Sequence, residues 1–316
     1  MNTLFLTGTV LLSVTSSAAV FAQSVPAPTP PSSPAPTAPV LHMETLRLKF
    51  SVGETLYYSL TEDTEGNYRE PHGKLIPIKS HLEMQMHQTT TALRDTDSAG
   101  LVSFGIDSLT ATVDKQPPLD TPPDPAVLAN LAALIVLPSG KLEETRVNPA
   151  FDADQSLPGE DPAHMNALAG LGELPPGPVQ SGSRWKSPVF LGLIGEKTTA
   201  DLMLSGWETK EAATIAVIKQ TLRGSFSTPV RPVPSTNARV ADGDMKIRGL
   251  TSGIRTVRFN VEAGTVESRD SVVWMTVLLT PKNEEGKFTG TPTRMWVKVT
   301  SKLVQTAAPA VKEQHS

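Results

Sequence analysis

His81-Leu82-Glu83-Met84-Gln85-Met86-His87 places two imidazoles and two thioethers within seven residues, the ligand types that hold copper or zinc. Whether they converge depends on the element that carries them. In a strand, His81, Glu83, Gln85 and His87 share one face, and Leu82, Met84 and Met86 share the other. The two histidines are then about 20 Å apart at ~3.3 Å per residue. One ion cannot reach both at about 2 Å. A helix would instead bring Glu83 and His87 together as an i, i+4 pair. Thr89, Thr90 and Thr91 downstream favour a strand. The expectation is a strand with Met84 and Met86 in the core; thioethers converging on Cu(I) are the alternative.

Other stretches with chemical types fare no better. Counting from Asp152, Asp152-Ala153-Asp154-Gln155-Ser156 starts like a calcium loop. Leu157 stands where the sixth-position glycine is needed and Ala163 where the twelfth-position glutamate is needed. A solvated acidic loop is expected there. Ser183-Arg184-Trp185-Lys186 matches Ser-x-x-Lys, but the Ser-Asp-Asn and Lys-Thr-Gly partners of acyl-transfer enzymes are absent from the sequence. Trp185 is expected to anchor the start of a strand. The sequence has no Gly-x-Ser-x-Gly, no His-Glu-x-x-His and no cysteine thiol. Asp107 is the most notable single acid, expected to be hydrated within a strand. No catalytic, cofactor-binding or metal-ligating residue is assigned, and no cofactor is expected.

The elements that position these residues are read from periodicity. Leu46, Leu48 and Phe50 alternate with polar residues. Strands are expected over 55–60, 76–92, 101–113, 198–204, 213–226, 245–250, 256–261, 266–279 and 294–303. In 101–113, Val102, Phe104 and Ile106 share one phase, and Leu109, Ala111 and Val113 share the other. A bulge near Asp107–Ser108 reconciles them. Val136 to Leu142 reads as a hairpin turn about Gly140. Between Val266 and Leu279 both phases are apolar, so that strand is expected to be covered on both faces. Two short helices are expected. One runs near 124–135, with Asp124-Pro125 at its start and Val127, Leu128, Leu131, Leu134 and Ile135 following. The other runs near 161–172, opened by Asp161-Pro162.

Residues 1–22 read as a signal peptide, apolar from Leu4 to Phe21 with Val20-Phe21-Ala22 suiting cleavage after Ala22. Absence of cysteine removes the acylation site of a lipid anchor. The expected location is therefore the periplasm or the exterior. Residues 23–42 are read as a Pro-rich disordered linker with seven prolines between Pro26 and Pro39; held as polyproline II, Ser24 to Pro39 would reach about 50 Å. Residues 43–173 are read as a first β-rich unit, 174–305 as a second, and 306–316 as a disordered tail. A weak echo links the two units. Gly53-Glu54-Thr55-Leu56-Tyr57 resembles Gly182-Ser183-Arg184-Trp185-Lys186, and Gly140 to Glu144 resembles Gly264 to Ser268; chance similarity of hairpins is the alternative to two diverged repeats. Charge is −4 and well mixed along the chain. No basic stretch stands out, so no nucleic-acid partner is expected.

The connector Leu174-Pro175-Pro176-Gly177, followed by Gly182 and Trp185, together with the Gly140 hairpin and the long alternating strands, resembles a group of exported bacterial β-rich domains. That resemblance spans about Leu46 to Val304. It implies long twisted antiparallel sheets, half-barrel-like in form, and it offers no activity or catalytic residue to carry over. Envelope lipid carriers share such a shape. The fold class is thus mainly β with two short helices. The expected function is a non-enzymatic exported module of the bacterial envelope that holds an apolar small molecule or lipid in a curved sheet. A structural component of the cell surface that binds another envelope protein is the alternative, and a hydrolase built on paired carboxylates a third reading.

Overall fold

The computed structural model describes residues 42–69, 73–113, 125–150, 171–191, 196–230, 245–281, 287, 289 and 292–308. The second expected helix, the Asp152 loop, the signal peptide and nearly all of the linker lie outside these residues. Among the described residues, eleven strands make one antiparallel sheet: β1 (Thr55–Arg69), β2 (Leu75–Arg94), β3 (Ala99–Val113), β4 (Ala132–Val136), β5 (Leu142–Val147), β6 (Arg184–Leu191), β7 (Glu196–Lys210), β8 (Ala213–Val230), β9 (Met245–Asn260), β10 (Thr265–Pro281) and β11 (Thr293–Thr306). Their order is β5-β4-β3-β2-β1-β11-β10-β9-β8-β7-β6, so the sheet is open, with short β5 and β6 at its edges. β1 to β5 lie within the first expected unit and β6 to β11 in the second. Pairing of β1 with β11 joins both into one sheet.

Alternation explains why these segments pleat. On β1, Tyr58 and Leu60 are buried while Asp63 and Glu65 are exposed; on β2, Met84 and Met86 are buried and their neighbours Glu83 and Gln85 are not. On β3, Gln85 pairs with Ser108 and Met86 with Ile106, leaving Asp107 as the extra residue of a bulge. The bulge brings Ile106 and Leu109 onto the same face, because Leu109 then pairs with Met84 and Ile106 with Met86.

Three expectations are corrected. The helix read over 124–135 is a single turn, α1 (Pro125–Leu128). Leu134 and Ile135 belong to β4, which begins once the Leu131 N–H has found the Phe104 carbonyl at 2.9 Å. The open edge of β3 supplies hydrogen-bond partners that outweigh continued helix. Segments 245–250 and 256–261 are one strand rather than two. Thr251-Ser252-Gly253 between them carries no large side chain, yet its ladders to β8 and β10 are complete. At Gly253 a Cβ would sit 2.8 Å from the Val272 carbonyl, so only glycine lets the two backbones approach this closely. Finally, β10 is not covered on both faces: Val273, Met275 and Val277 are buried, but Trp274 is 36 % and Leu278 40 % exposed.

Residues 42–50 form no strand of the sheet. They cross one end of its inner face as a strap, with Leu46 and Leu48 buried. The Leu48 N–H donates to Pro138 O (2.8 Å) and that of Lys49 to Gly264 O (3.2 Å), tying the strap to the β4–β5 and β9–β10 turns. Residues 171–182 make a second strap. Glu44 and Val179 exchange backbone hydrogen bonds of 3.1 and 2.8 Å, and Leu174 N–H donates to Ser139 O. Leu46, Leu48, Leu171 and Leu174 share one core with Tyr58, Phe104 and Phe259 from the sheet. Such burial, at roughly 25 cal/mol per Å² of apolar surface, is what a chain without disulfides must rely on.

Candidate functional site

The histidine–methionine stretch resolves into two separate environments. Met84 and Met86 are 1 % exposed and belong to the core. His81 and His87 lie on the opposite, outer face. His81 Nδ1 is 2.7 Å from Asp63 Oδ1, its cross-strand partner, and Nε2 is 3.3 Å from Glu83 Oε1. The hydrogen bond to Asp63, then that to Glu83, raises the His81 pKa above its ordinary value. Because the two carboxylates hold opposite ring nitrogens, they do not converge on one point. His87 Nδ1 meets the bulged Asp107 at 2.7 Å, which gives Asp107 a defined partner. Among the described residues no group of three metal-ligating side chains is placed to hold an ion. Trp185 faces inward at the start of β6 and donates from Nε1 to Glu173 O at 2.9 Å. Ser183 Oγ accepts from the Gln180 N–H rather than meeting Lys186.

The inner face of the sheet holds the chemistry that the sequence reading missed. Cross-strand registers align Glu62, Ser301, Ser271, Arg255 and Gln220 on one rung, spanning β1, β11, β10, β9 and β8. Arg269 stands one rung nearer the straps, opposite Leu303 and Val257. Each residue of this belt is in phase with buried apolar neighbours: Arg255 with Val257 and Phe259, Ser271 with Val273 and Met275. Arg255 is 8 % exposed, Ser271 5 % and Gln220 1 %. The Gln220 amide donates to Leu171 O at 2.7 Å, fixing the belt to the second strap, and Arg255 Nη1 lies 3.5 Å from Gln220 Oε1.

Burial first, and then the charge of Arg269, push the Arg255 guanidinium down to about 9. At neutral pH it stays protonated, so two cations face the interior of the sheet from adjacent strands. A buried charge of this kind is costly unless an anion sits with it, and the Glu62 carboxylate stands on the same rung. The rungs beyond the belt are apolar again. Val299 and Val273 lie on the next, Val297 and Met275 on the one after, then Met295 and Val277, opposite Tyr68, Ile76 and Ile78 of β1 and β2. Within them Thr251 Oγ1 is buried with no hydrogen-bond partner among the described residues. The polar belt is therefore flanked on both sides by buried apolar rungs of one core.

No protein-family model matches this sequence, and no curated protein does. Among solved structures, the chain is similar to one described as lipid–protein interactions in lipovitellin, with a TM-score of 0.45 and 10 % identity over 84 % of this chain and 26 % of that one. This chain thus spans about a quarter of the length of the solved chain it matches.

Proposed function

We propose that this is an exported, non-enzymatic envelope protein that holds an amphiphile, a lipid or similar apolar molecule with a polar head, against the inner face of its curved sheet. The reading is carried by one observation: the polar rung Glu62–Ser301–Ser271–Arg255–Gln220, set on the inner face with buried apolar rungs on both sides. A purely structural sheet gains nothing from guanidiniums in its apolar phase, since well-packed apolar residues there are generally as stable or more so. Location outside the cytoplasm accords with the leader-like first 22 residues.

Native mass spectrometry of the full chain purified from its own envelope tests this, with organic extraction of whatever co-purifies. The expected result is a bound amphiphile that a fluorescent fatty acid displaces. Protein that carries none and takes up no fluorescent acid overturns the reading.

A further inference from the structure

The outer face of the sheet's second half is unlike the inner. Three adjacent rungs there read Ser252–Trp274–Lys298, Leu250–Thr276–Trp296 and Arg248–Leu278–Arg294 across β9, β10 and β11. Leu250 is 65 % exposed, Ile254 58 %, Trp296 43 %, and Leu278 and Trp274 nearly as much. Trp274 and Trp296 are diagonal cross-strand neighbours, within about 7–8 Å at the backbone. A contiguous apolar patch rimmed by polar residues marks a surface that meets something.

The rim is cationic. Arg223 stands opposite Ser252, and Arg69 opposite Arg294. Among the described residues Arg69, Arg248, Arg294 and Lys298 make no ion pair. Cations nearer the straps on this same face are paired: Arg258 with Glu208 and Asp270, Lys210 with Glu267. Glu65, opposite Lys298, is the acid nearest the patch by register. Exposed Lys219 on β8 adds to the positive surface, while Lys186 on β6 is paired with Asp201. A chain of net charge −4 thus gathers positive charge around its exposed tryptophans. The even mixing of charges along the sequence concealed this patch, because the strands that build it are far apart in the chain.

We propose that this outer face docks on an anionic lipid surface, with Trp274 and Trp296 at headgroup level and Arg248, Arg294 and Lys298 against the lipid phosphates. Tryptophan prefers the membrane–water boundary, and basic side chains beside it add attraction to anionic headgroups. The exposed aliphatics decide for lipid over nucleic acid. Stacking on bases would use the two indoles but leave Leu250, Ile254 and Leu278 in water. The broad face of a sheet also suits a plane better than a strand of nucleic acid. This docking does not depend on an amphiphile in the concavity, and an empty inner face would leave it standing.

The test is flotation of the full chain with phosphatidylcholine vesicles, with and without phosphatidylglycerol. The expected result is binding that requires the anionic lipid, weakens with salt, and lets brominated lipid quench tryptophan fluorescence. Trp274→Ser with Trp296→Ser should abolish the quenching. Arg248→Glu with Arg294→Glu should weaken binding at least about tenfold. All four positions are exposed, and an unchanged urea midpoint confirms that the variants fold. Equal binding to neutral and anionic vesicles, or no binding, overturns the proposal. So does retention of single-stranded DNA without vesicle binding, or a dimer that Trp296→Ser dissolves, which would assign the face to a second copy.

Discussion

Leu46→Ala asks whether the first strap is core or merely leader. Leu46 is 0 % exposed, and its segment is pinned on both sides, by the Glu44–Val179 pair and by the Leu48 and Lys49 hydrogen bonds to the two turns. Pinned backbone cannot settle into the space that a lost isobutyl group leaves. The cost should therefore fall in the middle to upper part of the ~2–5 kcal/mol seen for buried Leu→Ala, at about 3–4 kcal/mol. At ~2–4 °C per kcal/mol for a domain of this size, the melting temperature falls by about 6–16 °C. Met43→Ala, three residues away and 54 % exposed, should change stability by under ~0.5 kcal/mol. Urea unfolding followed by tryptophan fluorescence reads both, with an unchanged m-value for each. A loss under ~1 kcal/mol for Leu46→Ala, or equal losses for the two variants, would refute the strap as part of the core.

Gly253→Ala should cost about 1–3 kcal/mol in the same assay, because its Cβ meets the Val272 carbonyl and the Val273 side chain; a neutral change would mean that β9 and β10 are not in close contact there. Deleting Asp107 removes the bulge and turns Leu109 and Ala111 to the outer face, so soluble folded protein should be lost, while Asp107→Ala costs no more than ~1 kcal/mol. His81 should titrate above its ordinary 6.5 by NMR, and Asp63→Asn should lower that midpoint more than Glu83→Gln does, as the larger of the two causes. Since the folded pKa is the raised one, the stability that His81 contributes is fully present below its unfolded pKa and fades as pH rises through the folded value. Arg255→Met should weaken uptake of an anionic amphiphile by roughly 10–100-fold, the worth of one charged hydrogen bond, and spare a neutral one; equal loss for both would take the belt out of the site.

How much of this was legible depended on how many strands a feature needs. β2 and the β3 bulge could be read from one segment each, because a period of two and a phase switch are local. Leu131, Leu134 and Ile135 satisfied helical spacing as well as Ala132, Leu134 and Val136 satisfied alternation, and only the open edge of β3 decides between them. The belt left a trace in the sequence: Arg255 and Arg269 stand in the apolar phase of their strands, where a solvent-facing cation would stand out of phase. Counting phase across Thr251 to Phe259, rather than ending one strand at Leu250 and starting the next at Thr256, exposes it. The outer cationic patch left no such trace. Its members come from β1, β8, β9, β10 and β11 and meet only through register.

The two halves share a hydrogen-bond pattern where β1 and β6 begin. Gly53, at φ 85°, donates to Thr90 O, Thr90 to Glu54 O, and Glu54 to Ser51 O. Gly182, at φ 88°, donates to Leu204 O, Leu204 to Ser183 O, and Ser183 to Gln180 O. The same three-bond lock opens β1 and β6, each after a strap and each against the next strand, and each glycine adopts a left-handed conformation that other residues resist. Sheet order follows suit: β5 to β1 and β10 to β6 run in the same direction, with β11 between them. On this reading β11 is the strand without a counterpart, and it converts two five-stranded pieces into one face. Glu62 lies in the first piece, Arg255 and Arg269 in the second, and Ser301 on β11 bridges them. The polar belt is therefore a property of the joined sheet, and neither half alone carries both its acid and its cations.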